Sequence, residues 1–281
     1  MNELGAHLAN SLASASIHTN ERVIVACSGG VDSVVLLHLA VHYFAANHIV
    51  VAHANHGLRG SESDGDASFV QDLTSSLGCE FVTTMLPVFE DVATSGRSIE
   101  ESARVLRYEW LESVRLVHGA STVLVAHHLD DLVETMLYRI ARGTGLRGLR
   151  AMRPRQGNIV RPLLGISRAE IESYARQHGL SWREDASNQD TSIHRNLLRH
   201  EVLPKLQTIN PAYARAFERL SRYAQDVSEF IDDAVQEFLG DGDYFSILLF
   251  QERSDFFQRE VIRYLYEQAC DSTIGLSESS I

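Results

Sequence analysis

The chain has 281 residues, of which 44% are hydrophobic and 22% charged, a composition typical of a globular protein rather than a disordered or collagen-like one. Its formal net charge of −12 lacks the basic excess that is usual for nucleic-acid-binding proteins. The charge is unevenly distributed, however, because residues 139–176 carry nine arginines against two glutamates, a local charge of +7. The overall charge therefore does not exclude a nucleic-acid partner.

Particular residue types exclude other functional classes. Lys205 is the single lysine and no glycine loop precedes it, so the chain lacks a Walker lysine and is not a P-loop kinase or GTPase. Cys27, Cys79 and Cys270 are too widely spaced for a CxxC pair or a disulfide framework, which suits a reducing cytoplasm. The longest apolar stretch, residues 34–46, is interrupted by histidines and is too short to span a bilayer. We therefore expect a soluble cytoplasmic protein without a membrane partner.

The first half of the chain alternates short β-branched runs with amphipathic stretches, which predicts an α/β fold with an open parallel sheet and helices on both faces. The predicted strands are residues 22–26, 48–52, 80–86, 121–126 and 159–163. The predicted helices are residues 31–46, 66–77, 98–117, 129–141, 167–178, 212–239 and 251–268. Because no strong strand signal follows Pro204, we predict an α/β domain over residues 1–206 and a small all-helical domain over residues 207–281.

A glycine-rich hexapeptide lies between the first predicted strand and the helix that follows it. Its residues are Ser28, Gly29, Gly30, Val31, Asp32 and Ser33. Two glycines allow a tight turn with outward N–H groups, and the helix start adds the positive end of its dipole, so the loop is suited to an anion. The serines can donate to phosphate oxygens, and Asp32 can hold a bridging Mg²⁺ ion. The alternative is an ordinary strand–helix turn, but the complete hexapeptide favours phosphate binding.

Histidines and paired carboxylates follow the fourth predicted strand. On a helix that begins near Leu129, Asp131 and Glu134 are three residues apart and share a face. At the carboxyl end of a parallel strand they can bind Mg²⁺, or recognise and deprotonate an ammonium group. The alternative is that Asp130 and Asp131 only complement the dipole of the first helical turn. His127 is suited to contacting phosphate or orienting a nucleotide, and a structural role for it is equally consistent with the sequence.

These strings resemble known families. The SGGxDS pattern is similar to the pyrophosphate-binding loop of the N-type ATP pyrophosphatases, which need no Walker lysine. Further strings follow in unbroken order: HANHGLRG at 53–60, AHHLDDLVET at 126–135, RGTGLRGL at 142–149, RPLL at 161–164, WREDASNQD at 182–190 and RN at 195–196. Together, over roughly residues 22–204, they resemble the tRNA(Ile)-lysidine synthetase family.

The resemblance implies an adenine nucleotide alpha hydrolase-like fold and a ligase that forms a carbon–nitrogen bond, with ATP and Mg²⁺ as cofactors. In the implied reaction, ATP adenylates the C2 oxygen of the wobble cytidine of an isoleucine tRNA with a CAU anticodon, releasing pyrophosphate. The ε-amine of free L-lysine then displaces AMP, so that the anticodon reads AUA instead of AUG. The residues implied in catalysis are Asp32, Arg107, His127, Asp131 and Glu134. Among them, Arg107 belongs to the pattern ARxxRY, which implies that it stabilises phosphate or the adenylated intermediate.

Two further groups of residues are expected to bind substrates. Asn55, His56 and Arg59 follow the second predicted strand and are expected to line the adenosine pocket or the flexible loop beside it. Arginines interleaved with glycine favour contact with the phosphate backbone of tRNA, against the alternative of a solvated loop. They are Arg139, Arg142, Arg147, Arg150, Arg153 and Arg155. Because family members continue beyond a stretch like residues 272–277, a shortened helical domain is expected. The sequence is compatible with a monomer and with a homodimer.

Three other functions remain open from the sequence. A sulfur-inserting ATP pyrophosphatase acting on tRNA needs paired or active-site cysteines, and the three spaced cysteines form no CxxC pair. A small-molecule synthetase of the amidotransferase-like type would not need the arginine-rich segment. A non-catalytic tRNA-binding module would not need intact SGGVDS and HHLDD strings.

Overall fold

The computed structural model describes residues 3–57, 61–184, 194–240 and 245–270. Within them, a six-stranded sheet carries the α/β part of the chain. Its strands are β1 (Val23–Ala26), β2 (Ile49–Asn55), β3 (Glu80–Met85), β4 (Thr122–Leu124), β5 (Arg155–Gln156) and β6 (Ile159–Val160). They lie in the order β3-β2-β1-β4-β6-β5, and all neighbours are parallel except the antiparallel pair β5–β6. After β1 the chain forms β2 on one side of β1, and it later returns to form β4 on the other side. This reversal creates a crevice at the carboxyl ends of β1 and β4, where ligands bind in such sheets.

Helices connect the strands and make up most of the remaining regular structure of the described chain. They are α1 (Glu3–Ser14), α2 (Val31–Tyr43), α3 (Ser61–Ser76), α4 (Val88–Ser95), α5 (Ile99–Val117), α6 (Leu129–Ala141), α7 (Leu146–Leu149), α8 (Arg168–Gln177), α9 (His194–Leu197), α10 (Leu203–Ile209), α11 (Tyr213–Leu239), α12 (Ile247–Gln251) and α13 (Asp255–Cys270). A 3-10 turn spans Ala46–His48, and a π-helical turn spans Leu198–Val202. None of the helices in the described ranges is both long and apolar enough to cross a bilayer.

The strands bury side chains on both faces of the sheet. Val23 and Val25 of β1 belong to a hydrophobic cluster with α1, α2 and α8, whereas Ile24 between them belongs to a second cluster with Leu111 and Val114 of α5. Central parallel strands covered on both faces read as continuous apolar runs, as the sequence VIVA of β1 does. The predicted fold class, an open parallel sheet with helices on both faces, is confirmed for the α/β part of the chain.

Most predicted elements coincide with observed ones, and the differences have local causes. The helix predicted at 129–141 is α6 itself. Strand β2 continues three residues beyond its predicted end because His53, Ala54 and Asn55 pair with β3, and two of these are polar residues that hide the strand signal. Helix α13 begins at Asp255 rather than at 251, since the hydroxyl of Ser254 accepts a hydrogen bond from the backbone N–H of Phe257.

The chain divides into two compact units. Unit 1 comprises Met1–Tyr138 and Ala151–Glu218, and unit 2 comprises Arg139–Arg150 and Arg219–Ile281. This division differs from the domains predicted at 1–206 and 207–281, because residues 139–150 join unit 2 and residues 207–218 join unit 1. Two of the boundaries lie inside the continuous helices α6 and α11, where no loop marks a change of unit.

Helices α2 and α8 contribute a group of histidines to one face of unit 1. The Nδ1 atom of His38 lies 2.9 Å from the Tyr174 hydroxyl oxygen. The rings of His42 and His178 lie 4.5 and 5.5 Å from the His38 ring. Burial, and then the neighbouring His42 and His178, lower the pKa of His38 to about 4.

We expect His38→Gln to make the protein less sensitive to acid. In the unfolded chain this histidine titrates near its ordinary value of 6.5. Between that pH and about 4 the unfolded state binds a proton that the folded state does not, so His38 lowers stability as the pH falls through this window. Glutamine retains a polar group toward Tyr174 and does not titrate. Melting temperatures at about pH 7.5 and about pH 5 should differ by a few degrees less in the variant; equal falls in both proteins would contradict the assignment.

Candidate functional site

The predicted phosphate loop, residues 28–33, joins β1 to α2. Gly29 has φ +91°, and a Cβ atom there would lie 3.3 Å from a methyl carbon of Val70, so this position requires glycine. The hydroxyl of Ser33 accepts a hydrogen bond from the backbone N–H of Ser28 at 3.1 Å and donates to the carbonyl of Gly30 at 2.9 Å. Gly30 is the N-cap of α2 and offers no side-chain acceptor to the first helical turn. The loop therefore presents a helix N-terminus suited to an anion.

Asp32 follows directly in the first turn of α2. Its Oδ2 accepts a hydrogen bond from Arg168 Nη1 at 2.6 Å. Its Oδ1 is buried and has no hydrogen-bond partner among the described residues. Burial raises the pKa of Asp32, against the opposing charges of His128 and Arg168. A desolvated carboxylate oxygen without a partner, next to a phosphate loop, fits Mg²⁺, which prefers carboxylate and phosphate oxygens. The described residues contain no group of three His, Cys, Asp or Glu side chains able to hold a metal ion on their own.

His128, the residue that directly precedes α6, links Asp32 to the acidic residues of that helix. Its backbone N–H donates to Asp131 Oδ2 at 3.0 Å, and its Nε2 lies 3.6 Å from the same oxygen. Its Nδ1 lies 3.6 Å from Asp130 Oδ2. Burial alone would lower the pKa of His128, but Asp131, Asp130 and Asp32 raise it. Sequence reasoning selected its neighbour His127 and missed His128, because a string of two histidines does not show which ring faces the carboxylates.

Asp131 and Glu134 share a face of α6, as predicted, and two arginines contact them. Both carboxylates are buried, with Glu134 only 1% exposed. Arg195 donates to Glu134 Oε2 at 2.7 Å and also to Asp131 Oδ1. Arg199 donates to Glu134 Oε1 at 2.8 Å. Burial would raise the pKa of Asp131, but His128 and Arg195 hold it down at about 2, so this carboxylate is ionised at neutral pH. Sequence reasoning quoted Arg195 without assigning it a role and did not single out Arg199.

A second group of arginines surrounds His127. The side chain of His127 is partly buried, and its Nδ1 has no hydrogen-bond partner among the described residues. Burial, together with Arg161, Arg195 and Arg104, lowers its pKa to about 3 against the opposing effect of Asp131. The ring is therefore neutral at physiological pH and surrounded by positive charge. A neutral imidazole in that setting is suited to hydrogen bonding with a phosphate or with a base.

Arg107 belongs to the same region of positive charge. Burial lowers the pKa of Arg107, and Arg104 and Arg195 lower it further. Its guanidinium carbon lies 5.5 Å from the centre of the Tyr108 ring, a cation–π distance. The effect of Arg195 on this pKa places Arg107 in the neighbourhood of Arg195, and its predicted contact with phosphate or with the adenylated intermediate stays a prediction.

Asn55 and His56 lie where β2 ends, at the same edge of the sheet as the phosphate loop, since β1 and β2 are parallel neighbours. Asn55 is buried, and its side-chain oxygen accepts a hydrogen bond from the backbone N–H of Gly57 at 2.8 Å. His56 is partly exposed. Their predicted contact with adenosine therefore stays a prediction. Three residues of the same string, Leu58, Arg59 and Gly60, lie outside the described residues.

The predicted tRNA-binding arginines are divided between the two units. Arg139, Arg142, Arg147 and Arg150 lie in unit 2, and Arg153 and Arg155 lie in unit 1. Arg147 is held by two carboxylates, since its Nε donates to Glu260 at 2.8 Å and its Nη2 forms an ion pair with Asp232. That arrangement gives Arg147 a structural role inside unit 2. Contact of this group with RNA stays a prediction.

Arg168 and a small cavity complete the site, and neither was expected. Helix α8 begins with a capping box, in which Ser167 and Glu170 exchange hydrogen bonds, and Arg168 is its first residue. The backbone N–H of Arg168 donates to Asp130 Oδ2 at 2.7 Å. Beside it lies a cavity of about 190 Å³, whose lining includes His128, Asp130, Glu134, Arg168 and Arg199. The available sequence signal was the S-x-x-E capping pattern, which predicts where α8 begins but not what its first side chain contacts.

We expect Glu134→Gln to destabilise the protein by about 2 kcal/mol, because the change removes the charge that two guanidinium groups share at a buried position. Glu237→Gln, at an exposed position of α11, is the matched control and should change the free energy of unfolding by less than about 0.5 kcal/mol. Urea unfolding of both variants is the measurement. Equal stabilities would show that Arg195 and Arg199 gain nothing from the charge of Glu134.

Comparison with known proteins is consistent with this geometry. The model of the PP-loop domain family matches residues 3–206. The tRNA(Ile)-lysidine synthase of Bacteroides thetaiotaomicron is 40% identical over 218 residues, covering 78% of this chain and 51% of that protein. The enzyme of the same name from Chlorobaculum tepidum is 36% identical over 229 residues, covering 79% of this chain and 68% of that protein. The solved structure of the U34-tRNA thiolase NcsA from Methanococcus maripaludis is similar in fold, with a TM-score of 0.61 and 19% identity over 78% of this chain and 79% of that one.

The chain spans about half the length of several of the curated relatives it matches, including those from Bacteroides thetaiotaomicron and Thermosipho africanus. It covers more than two thirds of the Chlorobaculum tepidum relative. The family model, in turn, accounts for the whole of the sheet and its phosphate loop. This chain therefore belongs to the PP-loop family and, within it, to the family of the tRNA(Ile)-lysidine synthases.

Proposed function

We propose that the chain ligates free L-lysine to C2 of the wobble cytidine in an isoleucine tRNA with a CAU anticodon, using ATP. The observation that carries this proposal is the link between two sites through one histidine. The Nε2 atom of His128 lies 3.8 Å from Oδ1 of Asp32, beside the phosphate loop, and 3.6 Å from Oδ2 of Asp131, which shares a face of α6 with Glu134. An activating site for a nucleotide next to an acidic site for an amine is what the ligation requires.

The first step activates the cytidine. The C2 oxygen attacks the α-phosphorus of ATP, and the bond to pyrophosphate breaks, which leaves an adenylated base. The loop of residues 28–33 holds the departing pyrophosphate through its N–H groups and hydroxyls, and Arg107 and His127 are placed to contact the phosphate that stays. Asp32 would hold Mg²⁺, which would neutralise phosphate charge.

The second step needs a neutral amine. The ε-ammonium of lysine has a pKa near about 10.4 and must lose a proton before its nitrogen can attack C2 and expel AMP. Asp131 and Glu134 are suited to binding this ammonium group, and Glu134 is the better candidate to receive its proton, because a carboxylate with a pKa of about 2, as Asp131 has, is a weak base. Arg195 and Arg199 occupy both carboxylates, so the ammonium group takes over part of the contacts that these guanidiniums make.

Binding of tRNA would involve the arginines outside the Arg147 ion pairs, by contact with backbone phosphates. We place this reaction in the cytoplasm, as the spaced cysteines suggest. Sulfur insertion, the activity named for the thiolase of similar fold, is disfavoured by Cys27, whose thiol is buried with its pKa raised by that burial. A buried, protonated thiol is a poor nucleophile and a poor cluster ligand.

Labelled lysine provides the direct test of the reaction. The protein is incubated with ATP, Mg²⁺, radiolabelled lysine and the isoleucine tRNA with a CAU anticodon, and the methionine tRNA with the same anticodon is the control. We expect label in the isoleucine tRNA alone. Pyrophosphate release on adding tRNA, without label in either tRNA, would support the adenylating site and exclude lysine as the nucleophile. Absence of both labelled tRNA and pyrophosphate release would contradict the proposed function as a whole.

Asp32→Ala separates the nucleotide site from tRNA binding. Because the metal at Asp32 would serve the phosphates only, we expect the variant to lose adenylation by at least about 100-fold while its affinity for tRNA stays within about twofold. Transfer of labelled AMP to tRNA and a filter-binding titration measure the two effects. Normal turnover in this variant would show that Asp32 does not hold the metal.

A further inference from the structure

Arg168 contacts the same carboxylate that we assign to the metal. Its Nη1 donates to Asp32 Oδ2 at 2.6 Å. Its Nε donates to Glu172 Oε1 at 2.9 Å, one turn further along α8. Because the backbone N–H of Arg168 is also bound by Asp130 Oδ2, the residue is anchored at both its backbone and its guanidinium.

The two oxygens of Asp32 differ in their surroundings. Oδ2 is occupied by Arg168, whereas Oδ1 is buried without a hydrogen-bond partner in the described part of the chain. The Nε2 atom of His128 is 3.8 Å from Oδ1, beyond hydrogen-bond distance. One carboxylate therefore already holds a cation on one oxygen and keeps its second oxygen for another.

We propose that Arg168 is the resident counter-ion of Asp32 and competes with Mg²⁺ for it, so that Arg168 sets how strongly nucleotide binding depends on magnesium. The inference rests on the proposed nucleotide site at residues 28–33. Without metal, Arg168 cancels the charge of Asp32, and phosphates that enter the loop are not repelled by a free carboxylate. With metal, two cations share one carboxylate and repel each other, which holds down the affinity for Mg²⁺.

Removal of Arg168 therefore has opposite effects under the two conditions. Without Mg²⁺, the uncompensated charge of Asp32 weakens nucleotide binding. With Mg²⁺, the vacant carboxylate of the variant binds the metal more tightly. The gain in nucleotide affinity on adding Mg²⁺ is therefore larger in the variant than in the wild-type protein. A residue that only bound phosphate would weaken binding in both conditions, and so would a residue that only stabilised the loop.

Arg176 provides a matched control on the same helix. Its Nη2 lies 3.3 Å from Glu172 Oε2, so both arginines pair with Glu172. The Arg176 side chain is 62% exposed. Arg168→Gln and Arg176→Gln each remove one arginine from Glu172, and only the first removes the contact with Asp32.

The test measures binding of α,β-methylene ATP, which cannot be cleaved at the reacting bond, to the whole chain by calorimetry. Each protein is titrated in magnesium chloride and again in EDTA, without tRNA or lysine. We expect the ratio of the dissociation constant in EDTA to that in magnesium to rise by about tenfold in R168Q, the order expected for one partly screened unit charge. The ratio should stay at its wild-type value in R176Q and near it in R168K, which retains the charge.

The same titration on a D32N background isolates the interaction. If Arg168 acts through the charge of Asp32, R168Q changes the ratio in the wild-type background and leaves it unchanged when D32N is already present. An unchanged ratio in R168Q while the wild-type protein binds the analogue would overturn the inference alone, as would equal weakening under both conditions. Failure of the wild-type protein to bind the analogue in either condition would overturn the nucleotide site itself, and the inference with it.

Discussion

The site depends on the compensation of buried negative charge. Asp131 and Glu134 are buried on α6, and Asp32 is largely removed from water on α2. Burying an ionised carboxylate is unfavourable unless a cation or several donors replace its water. In this chain Arg195 and Arg199 come from a segment that follows the sheet in sequence, whereas His128 lies three residues before Asp131 and reaches Asp32 across the sheet edge.

The arrangement of the parallel strands explains why these groups can meet. β1 and β4 are adjacent and parallel, so the loops that leave them emerge at the same edge of the sheet. The first of these loops leads into α2 with Asp32 in its opening turn, and the second leads into α6 with Asp131. Each carboxylate thus lies near a helix N-terminus, where the helix dipole favours negative charge. The acidic site and the phosphate loop are consequences of the same strand pair.

The two adjacent histidines of the HHLDD string have different electrostatic surroundings in the structure. His128 has three carboxylates around it and a raised pKa, whereas His127 lies among arginines and its pKa falls to about 3. The rings of adjacent residues point to opposite surroundings, one acidic and one basic. In the proposed reaction the amine attacks C2 of the adenylated base and AMP leaves, so a basic region suits the phosphate of AMP and an acidic region suits the amine. Their separation follows from the turn between β4 and α6.

Local sequence patterns were sufficient to predict the fold class, most of the strands and helices, the phosphate loop and the shared face of Asp131 and Glu134, because these depend on residue periodicity and spacing within one segment. They did not predict β5 or the division of α6 between two units, which depend on packing between segments. Nor could they predict that Arg195 and Arg199 pair with Glu134, that Arg168 pairs with Asp32, or that Arg147 is held by Asp232 and Glu260. A surface arginine and one that compensates a buried carboxylate look the same in a sequence, since the difference lies in which distant carboxylate the folded chain brings within hydrogen-bond distance. The sequence by itself thus determined which chemical groups the chain offers at each strand end, and the tertiary structure alone decided which of their charges are paired.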